Sequence, residues 1–271
     1  MSQYGAIISP VDVRDYKLNV SKLTDEKFPD EFELSWIPKS RNQESVSSCV
    51  AHVASEIQEY FQKIQLNDTH RLAVGYIYGI RYDYLGEGMY LRDALKTMKD
   101  KGICTYQEFP WNLEVPEIID KLNESISSEE INERESFSRR VSTYFRLNSP
   151  EDIKSALMKY GPVMISVKWY DNNDVKDGVL DKGSGSGGYH CLMVYGWNDK
   201  GFKFLNSWGS KWGDKGKCIL PYDYEIAESW GITDTVVELL DDIKVPEDNF
   251  FVRIFYKVIN FFCNLFKSFK R

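Results

Sequence analysis

Apolar positions fall at steps of three and four over residues 49–65, where Val50, Val53, Ala54, Ile57, Phe61 and Ile64 make one stripe. That period predicts a helix, and Ser47 or Ser48 can cap its start. A second helix is expected over 91–101, LRDALKTMKDK, ended by Gly102. A third is expected over 150–160, with Ser149 as cap, Pro150 in the first turn and Gly161-Pro162 as the stop. From residue 162 the pattern shortens: PVMISVKW, CLMVYGW, FKFLNSW and KCILPY are β-rich runs separated by Gly, Asp and Asn turns. Residues 28–38, FPDEFELSWIP, read as extended and partly apolar, and residues 1–28 as a polar, turn-rich leader on the surface. Helices crowd the first half and strands the second. This predicts an α+β fold, a helical lobe and a β-rich lobe with a cleft between them.

The tail follows a different rule. In residues 246–271, Arg253, Lys257, Asn260, Asn264, Lys267 and Arg271 recur at steps of 4, 3, 4, 3 and 4, one narrow polar stripe on a helix. Seven phenylalanines occupy much of the remaining circumference, with five basic residues and no acid after Asp248. Charge interrupts it too often for a membrane span. Three readings of helix 250–271 stand open: a membrane surface, a protein partner or second copy, and packing on its own domain. The organisation expected is therefore a leader over 1–28, one domain over 29–240 and an amphipathic helix over 246–271.

Composition narrows the classes. A chain of 271 residues with 42% hydrophobic and 14% aromatic content can bury a sizeable core. A net charge of −7 offers no nucleic-acid surface. The N-terminus, MSQYGAIISPVDVRDYK, lacks the basic and apolar regions of a secretory signal. Cysteines 49, 104, 191, 218 and 263 form no CxxC pair, so neither a zinc site nor a disulfide framework is expected. A cytoplasmic or otherwise reducing compartment fits, with a peripheral membrane or virion association if the tail docks on one. The pattern asks for no metal and no cofactor.

Three separated patches carry chemistry. RNQESVSSCVAH places Gln43 six positions before Cys49, GGYHCLMVYGW surrounds His190, and NSWGSKWGDKG begins at Asn206. Cys49 falls at the start of the first predicted helix, where unsatisfied N–H groups and the helix dipole favour a thiolate. Alone, it reads equally as a small buried apolar residue. His190 lies between a glycine-rich turn and an apolar strand, and so at a strand edge. His52, one turn beyond Cys49, suits packing beside the thiol better than catalysis, and His70 lies in a polar turn. Asn206 can accept an N–H from His190 and orient the ring. Trp208, two residues on, can cover that hydrogen bond.

In these motifs the chain resembles the papain-like cysteine peptidases, most closely the small bacterial and viral branch, over residues 28–235. NSWGSKWGDKG is nearly the family's asparagine motif, Gln-x5-Cys matches its nucleophile region, and GEGMYLRDALKTMKDKGIC resembles its glycine-containing substrate strip. The resemblance implies a two-lobed fold and peptide-bond hydrolysis through a thiolate–imidazolium pair. Cys49 is then the nucleophile, His190 the base and acid, Asn206 the orienter, and Gln43 with the Cys49 N–H the oxyanion hole. Gly88 would pair with the bound peptide, Tyr189 would face it across the cleft, and Met89 and Tyr90 would line a side-chain pocket. The partner implied is a peptide or protein substrate.

There are departures. The family's Cys-Gly-Ser-Cys-Trp reads Val46-Ser47-Ser48-Cys49-Val50, so the disulfide usual there cannot form. The long helical pro-region of lysosomal relatives is not expected in the 28 residues before Pro29, and the leader is expected to cover the cleft or a strand edge instead. Two other classes remain in view: a catalytically quiet structural or binding subunit of this fold, and a thiol amidase acting on cell-wall peptides.

Overall fold

The computed structural model describes residues 4–13, 15, 27–81, 87–110 and 139–234. The expected amphipathic helix over 246–271 lies outside the described residues.

The first helix, α1 (Cys49–Leu66), forms where the apolar period predicts it. Two details differ from expectation. Ser48 is the N-cap residue but makes no capping hydrogen bond; its hydroxyl instead lies 3.2 Å from His52 Nδ1. The apolar stripe is also only part of what is buried. Ser55, Glu56, Gln58, Glu59 and Gln62, the face that periodicity assigns to solvent, are buried too, whereas Ile64 is nearly half exposed. Protein surrounds α1 for its first fourteen residues, so its polar side needs internal partners. Glu59 has them: its carboxylate pairs with Arg41 and Arg71 and accepts the Leu72 N–H at 2.9 Å.

A short helix, α2 (Val74–Gly79), follows. Its sequence, VGYIYG, has weak helical propensity, and it forms as a wholly buried element. Helix α3 (Leu91–Asp100) ends as predicted, with the Gly102 N–H returning to the Thr97 carbonyl at 3.0 Å. Helix α4 (Pro150–Lys159) is capped by Ser149, whose hydroxyl accepts the Asp152 N–H at 3.0 Å.

The strands are β1 (Ala6–Ile7), β2 (Phe32–Glu33), β3 (Met89–Tyr90), β4 (Thr143–Arg146), β5 (Val163–Tyr170), β6 (Val175–Lys176), β7 (Val179–Leu180), β8 (Gly187–Trp197), β9 (Gly201–Leu205), β10 (Lys217–Pro221) and β11 (Ile226–Thr233). Nine of them form one sheet in the order β4-β11-β5-β8-β9-β10-β7-β6, with β2 also on β8. Its pairings are antiparallel except β7 with β10.

Alternation along the strands makes two cores, one on each face of the sheet. Cys191, Met193 and Tyr195 of β8 join Leu205, Trp230 and the helices α1, α2 and α3. Leu192, Val194 and Trp197 join Val163, Ile165, Val167, Phe202, Phe204 and α4. Burial on both faces explains why β8 reads as an unbroken apolar run.

The leader lies on the surface at residues 10–13, as expected, but not over residues 4–9. Gly5, Ala6 and Ser9 are buried, and β1 pairs in parallel with β3 through Ala6–Met89 and Ile7–Tyr90.

Candidate active site

Helix α1 supplies Cys49 from its first turn and β8 supplies His190. Both are fully buried. The main-chain N–H of Cys191, one residue beyond His190, hydrogen-bonds the Cys49 thiol, which brings the two patches together.

His190 Nε2 lies 2.7 Å from Asn206 Oδ1. That oxygen also accepts the Ser207 N–H at 2.8 Å, so it is an acceptor and the ring donates from Nε2–H. The lone pair is then on Nδ1, which makes no hydrogen bond to the protein. Asn206 is itself held by the chain: its N–H donates to the Gly216 carbonyl at 2.8 Å, and the Ser40 hydroxyl donates to its carbonyl at 2.6 Å. Trp208 lies beside the ring, with centroids 4.8 Å apart and planes at 32°. Trp169, which the sequence motifs do not single out, meets the same ring edge-on at 5.3 Å and Trp208 at 4.8 Å.

Gln43 joins this group from the loop before α1. It is fully buried, its Nε2 donates to the Val46 carbonyl at 2.8 Å, and its Oε1 accepts the Ser207 hydroxyl at 2.6 Å. Ser207 therefore touches both halves of the site, through its N–H to Asn206 and its hydroxyl to Gln43. Motif reading missed it; its place directly after Asn206 was the available signal.

Electrostatics run against the expected thiolate. Burial pushes the Cys49 thiol up to about 11, although main-chain hydrogen bonds from Cys191, Gly5, Val50 and Cys49 itself pull the other way. Burial lowers His190 to about 4, with the Asn206 hydrogen bond opposing. In this arrangement both groups are neutral at pH 7. His52 is neutral as well, lowered to about 3 by burial, and its Nδ1 lies 3.0 Å from the Ser48 carbonyl. His70 is exposed and pairs with Asp68.

The leader is part of what surrounds Cys49. A Cβ on Gly5 would stand 2.0 Å from the Ser47 carbonyl oxygen, so only glycine fits there. Gly88, at φ +84°, faces it, and a Cβ there would stand 2.8 Å from the Gly5 carbonyl oxygen. That carbonyl accepts the Met89 N–H at 2.8 Å, while the Gly88 N–H donates to the Tyr78 hydroxyl at 3.2 Å. Upstream, Tyr4 covers Gly188 and donates its hydroxyl to Asp171 at 2.8 Å. Residues 4–7 thus run from the Gly188–Tyr189 edge, past Cys49, onto the strand Met89–Tyr90. Gly88, Met89 and Tyr90, expected to line a peptide cleft, are touched by the leader, which also covers Gly188 beside Tyr189.

Without that segment, the group comprises a thiol at a helix start, an imidazole with an available lone pair, a neutral amide fixing the ring, and nearby amide N–H donors. These are the parts thiol-based acyl transfer requires. The four cysteines among the described residues are free. Among the described residues, no helix is long and apolar enough to cross a membrane.

A model of the papain family cysteine proteases matches residues 29–237. An uncharacterised peptidase C1-like protein of Acanthamoeba polyphaga mimivirus is 26% identical over 182 residues, covering 59% of this chain and 58% of that protein. A cathepsin B-like cysteine proteinase of Caenorhabditis elegans is 27% identical over 218 residues, covering 70% of this chain and 58% of that protein. The chain thus spans 58% of the length of each of these relatives. Among solved structures, xylellain, a cysteine protease from Xylella fastidiosa, superposes with a TM-score of 0.73 at 19% identity, over 86% of this chain and 97% of that one.

Proposed function

The chain belongs to the papain family of cysteine proteases, and from that premise we propose that it is a cysteine endopeptidase working through Cys49 and His190. The observation that carries the reading is the hydrogen-bond order around the imidazole. Asn206 engages Nε2, which leaves the Nδ1 lone pair unengaged as the base, one residue before Cys191, whose N–H reaches the Cys49 thiol.

When a peptide replaces the leader, Nδ1 takes the thiol proton and the Cys49 sulfur attacks the scissile carbonyl carbon. The carbonyl oxygen becomes an oxyanion, which the Gln43 amide and the Cys49 N–H receive as donors. The tetrahedral intermediate collapses, the C–N bond breaks, and the imidazolium gives its proton to the departing amine. Water then gives a proton to His190 and attacks the thioester. Collapse frees the acid and returns the proton to sulfur. Asn206 is neutral, so it orients the imidazolium without adding a countercharge. Trp169 and Trp208 keep water from the Nε2–Oδ1 hydrogen bond.

The test is a peptide-library cleavage profile, run in a Gly5→Val background where the leader strand cannot seat. Adding Cys49→Ala should abolish turnover and labelling by a thiol-directed epoxide, while circular dichroism and the thermal midpoint hold. Turnover that survives Cys49→Ala overturns the reading. So does a folded Gly5→Val chain that labels at Cys49 yet cleaves no peptide.

A further inference from the structure

The leader's seat over Cys49 is held by something other than its strand. Strand β1 pairs two residues with β3, and so short a pairing is marginal by itself. Beyond it the chain buries little apolar surface: Val11 is 86% and Val13 is 96% exposed. Charge takes over there. The Ser9 N–H donates to Glu228 Oε2 at 2.9 Å, and the Ser9 hydroxyl accepts the Arg92 N–H at 3.2 Å. Arg92 Nη2 donates to the Pro10 carbonyl at 2.6 Å. Asp15 then receives Arg92 in a two-pronged contact, Nε to Oδ1 at 3.0 Å and Nη2 to Oδ2 at 2.6 Å. Arg146 Nε approaches the same carboxylate at 3.4 Å.

The two arginines are prepared for this. Both guanidinium groups lie over the Trp230 ring, Arg146 at 4.8 Å and Arg92 at 5.7 Å from its centroid. Glu228 accepts Arg146 Nη2 at 3.2 Å and Trp230 Nε1 at 2.7 Å, which fixes Arg146 from behind. The Asp15 side chain is 6% exposed. An ionised carboxylate is buried this far only when paired, and a planar fork is the geometry that pairs it best. Arg92 comes from α3 and Arg146 from β4, so the carboxylate also ties the helical part to the sheet.

We propose that Arg92 and Arg146, lying over Trp230, form a carboxylate-binding site whose ligand in the resting chain is Asp15, and that this ion cluster latches residues 4–9 over Cys49. The inference rests on the reading of Cys49 as a nucleophile that must be uncovered to work. Its chemistry is that of an acidic side chain held by two arginines. When the latch releases, Glu228 keeps Arg146 and Trp230, whereas Arg92 loses its acid partner. Release is therefore paid at Arg92 and Asp15, which makes that pair the control point.

The experiment reads access to Cys49 rather than peptide turnover. The full chain is treated with iodoacetamide, and modification of Cys49 is followed by mass spectrometry, with buried Cys104 as an internal control for global loosening. Labelling tracks the population of the open form. Removing one partner of a buried ion pair should raise the Cys49 rate about 30-fold in Asp15→Asn and in Arg92→Ala, with Cys104 unchanged. The double variant should label no faster than the faster single one, because both break the same latch. Gly5→Val opens the cleft without touching the ions and should label at least as fast.

A wild-type rate in Asp15→Asn beside a fast Gly5→Val overturns the latch. Acceleration in Arg92→Ala alone also overturns it, by showing that Arg92 supports Trp230 rather than holds Asp15. A wild-type rate in Gly5→Val overturns the whole idea that the leader covers the thiol. A Gly5→Val chain that labels quickly but cleaves nothing counts against the endopeptidase and leaves the latch standing.

Discussion

Each wall of the cleft buries a histidine, and the two are used differently. On the helical wall, the Nδ1 of His52 faces the Ser48 carbonyl, inside its own helix turn. On the sheet wall, His190 gives Nε2 to Asn206 and keeps the Nδ1 lone pair unengaged. Burial depresses both. Low basicity therefore does not separate the catalytic candidate from the packing one; the nitrogen left available does. The surroundings differ as well. The helical wall encloses ionisable groups, with Arg41, Glu56 and Glu59 all on or against α1. The sheet wall around His190 is built from indole rings and neutral amides. Perturbing the first should move stability, and perturbing the second should move turnover.

The largest expected effect is on the helical wall. Glu56 is fully buried, and burial raises it to about 8 despite the nearby Arg41 charge and main-chain N–H. A raised folded value means the folded chain holds the proton more tightly than the unfolded chain. The stabilisation is then complete below the ordinary carboxylate value and lost as pH rises toward 8. From pH 5 to pH 9 this one group should cost the wild type a few kcal/mol, and Glu56→Gln should remove that slope. Urea unfolding at the two pH values measures it. Equal slopes in the two proteins would show that Glu56 is not the titrating group.

The next effect lies on the sheet wall. Asn206→Ala releases the ring and leaves Nε2–H without its acceptor. In the Gly5→Val background, kcat should fall about 100-fold, with KM within about threefold, because ring orientation matters most when the proton moves. His52→Gln should leave kcat within about threefold in the same assay. If the two substitutions reduced kcat alike, the distinction between the histidines would collapse.

These tests also mark what the sequence could reveal. Helix α1 was legible from its apolar period alone, and α3 and α4 because period agrees with a stop at Gly102, a cap at Ser149 and a stop at Gly161. The candidate site was legible because Gln43, Cys49, His190 and Asn206 each sit in a short distinctive patch. The buried polar face of α1 was not, since Ser55, Glu56 and Glu59 look like solvent positions until the sheet is laid against them. The thiol's direction of shift was misjudged for a related reason. A helix start is visible in sequence, but the complete burial of the thiol in the folded chain is not. Tyr4-Gly5-Ala6-Ile7 carries no motif, and its role depends on a pairing with residues 88–90 that only the folded chain creates.

The smallest expected effect tests the residue that joins the two walls. Ser207 is buried, donates its N–H to the Asn206 oxygen and its hydroxyl to Gln43 Oε1 at 2.6 Å. Ser207→Ala keeps the first contact and removes the second. The Gln43 side chain then retains its bond to the Val46 carbonyl but loses the contact that sets its rotation. One neutral hydrogen bond contributes about 1 kcal/mol, so kcat in the Gly5→Val background should drop about fivefold. The loss should sit in kcat rather than KM, since an oxyanion donor acts where charge develops. Ser207→Thr keeps the hydroxyl and should recover most of the rate. Equal loss in Ala and Thr would assign the effect to packing in this crowded corner. Loss confined to KM would place Gln43 on the bound peptide instead of on the oxyanion.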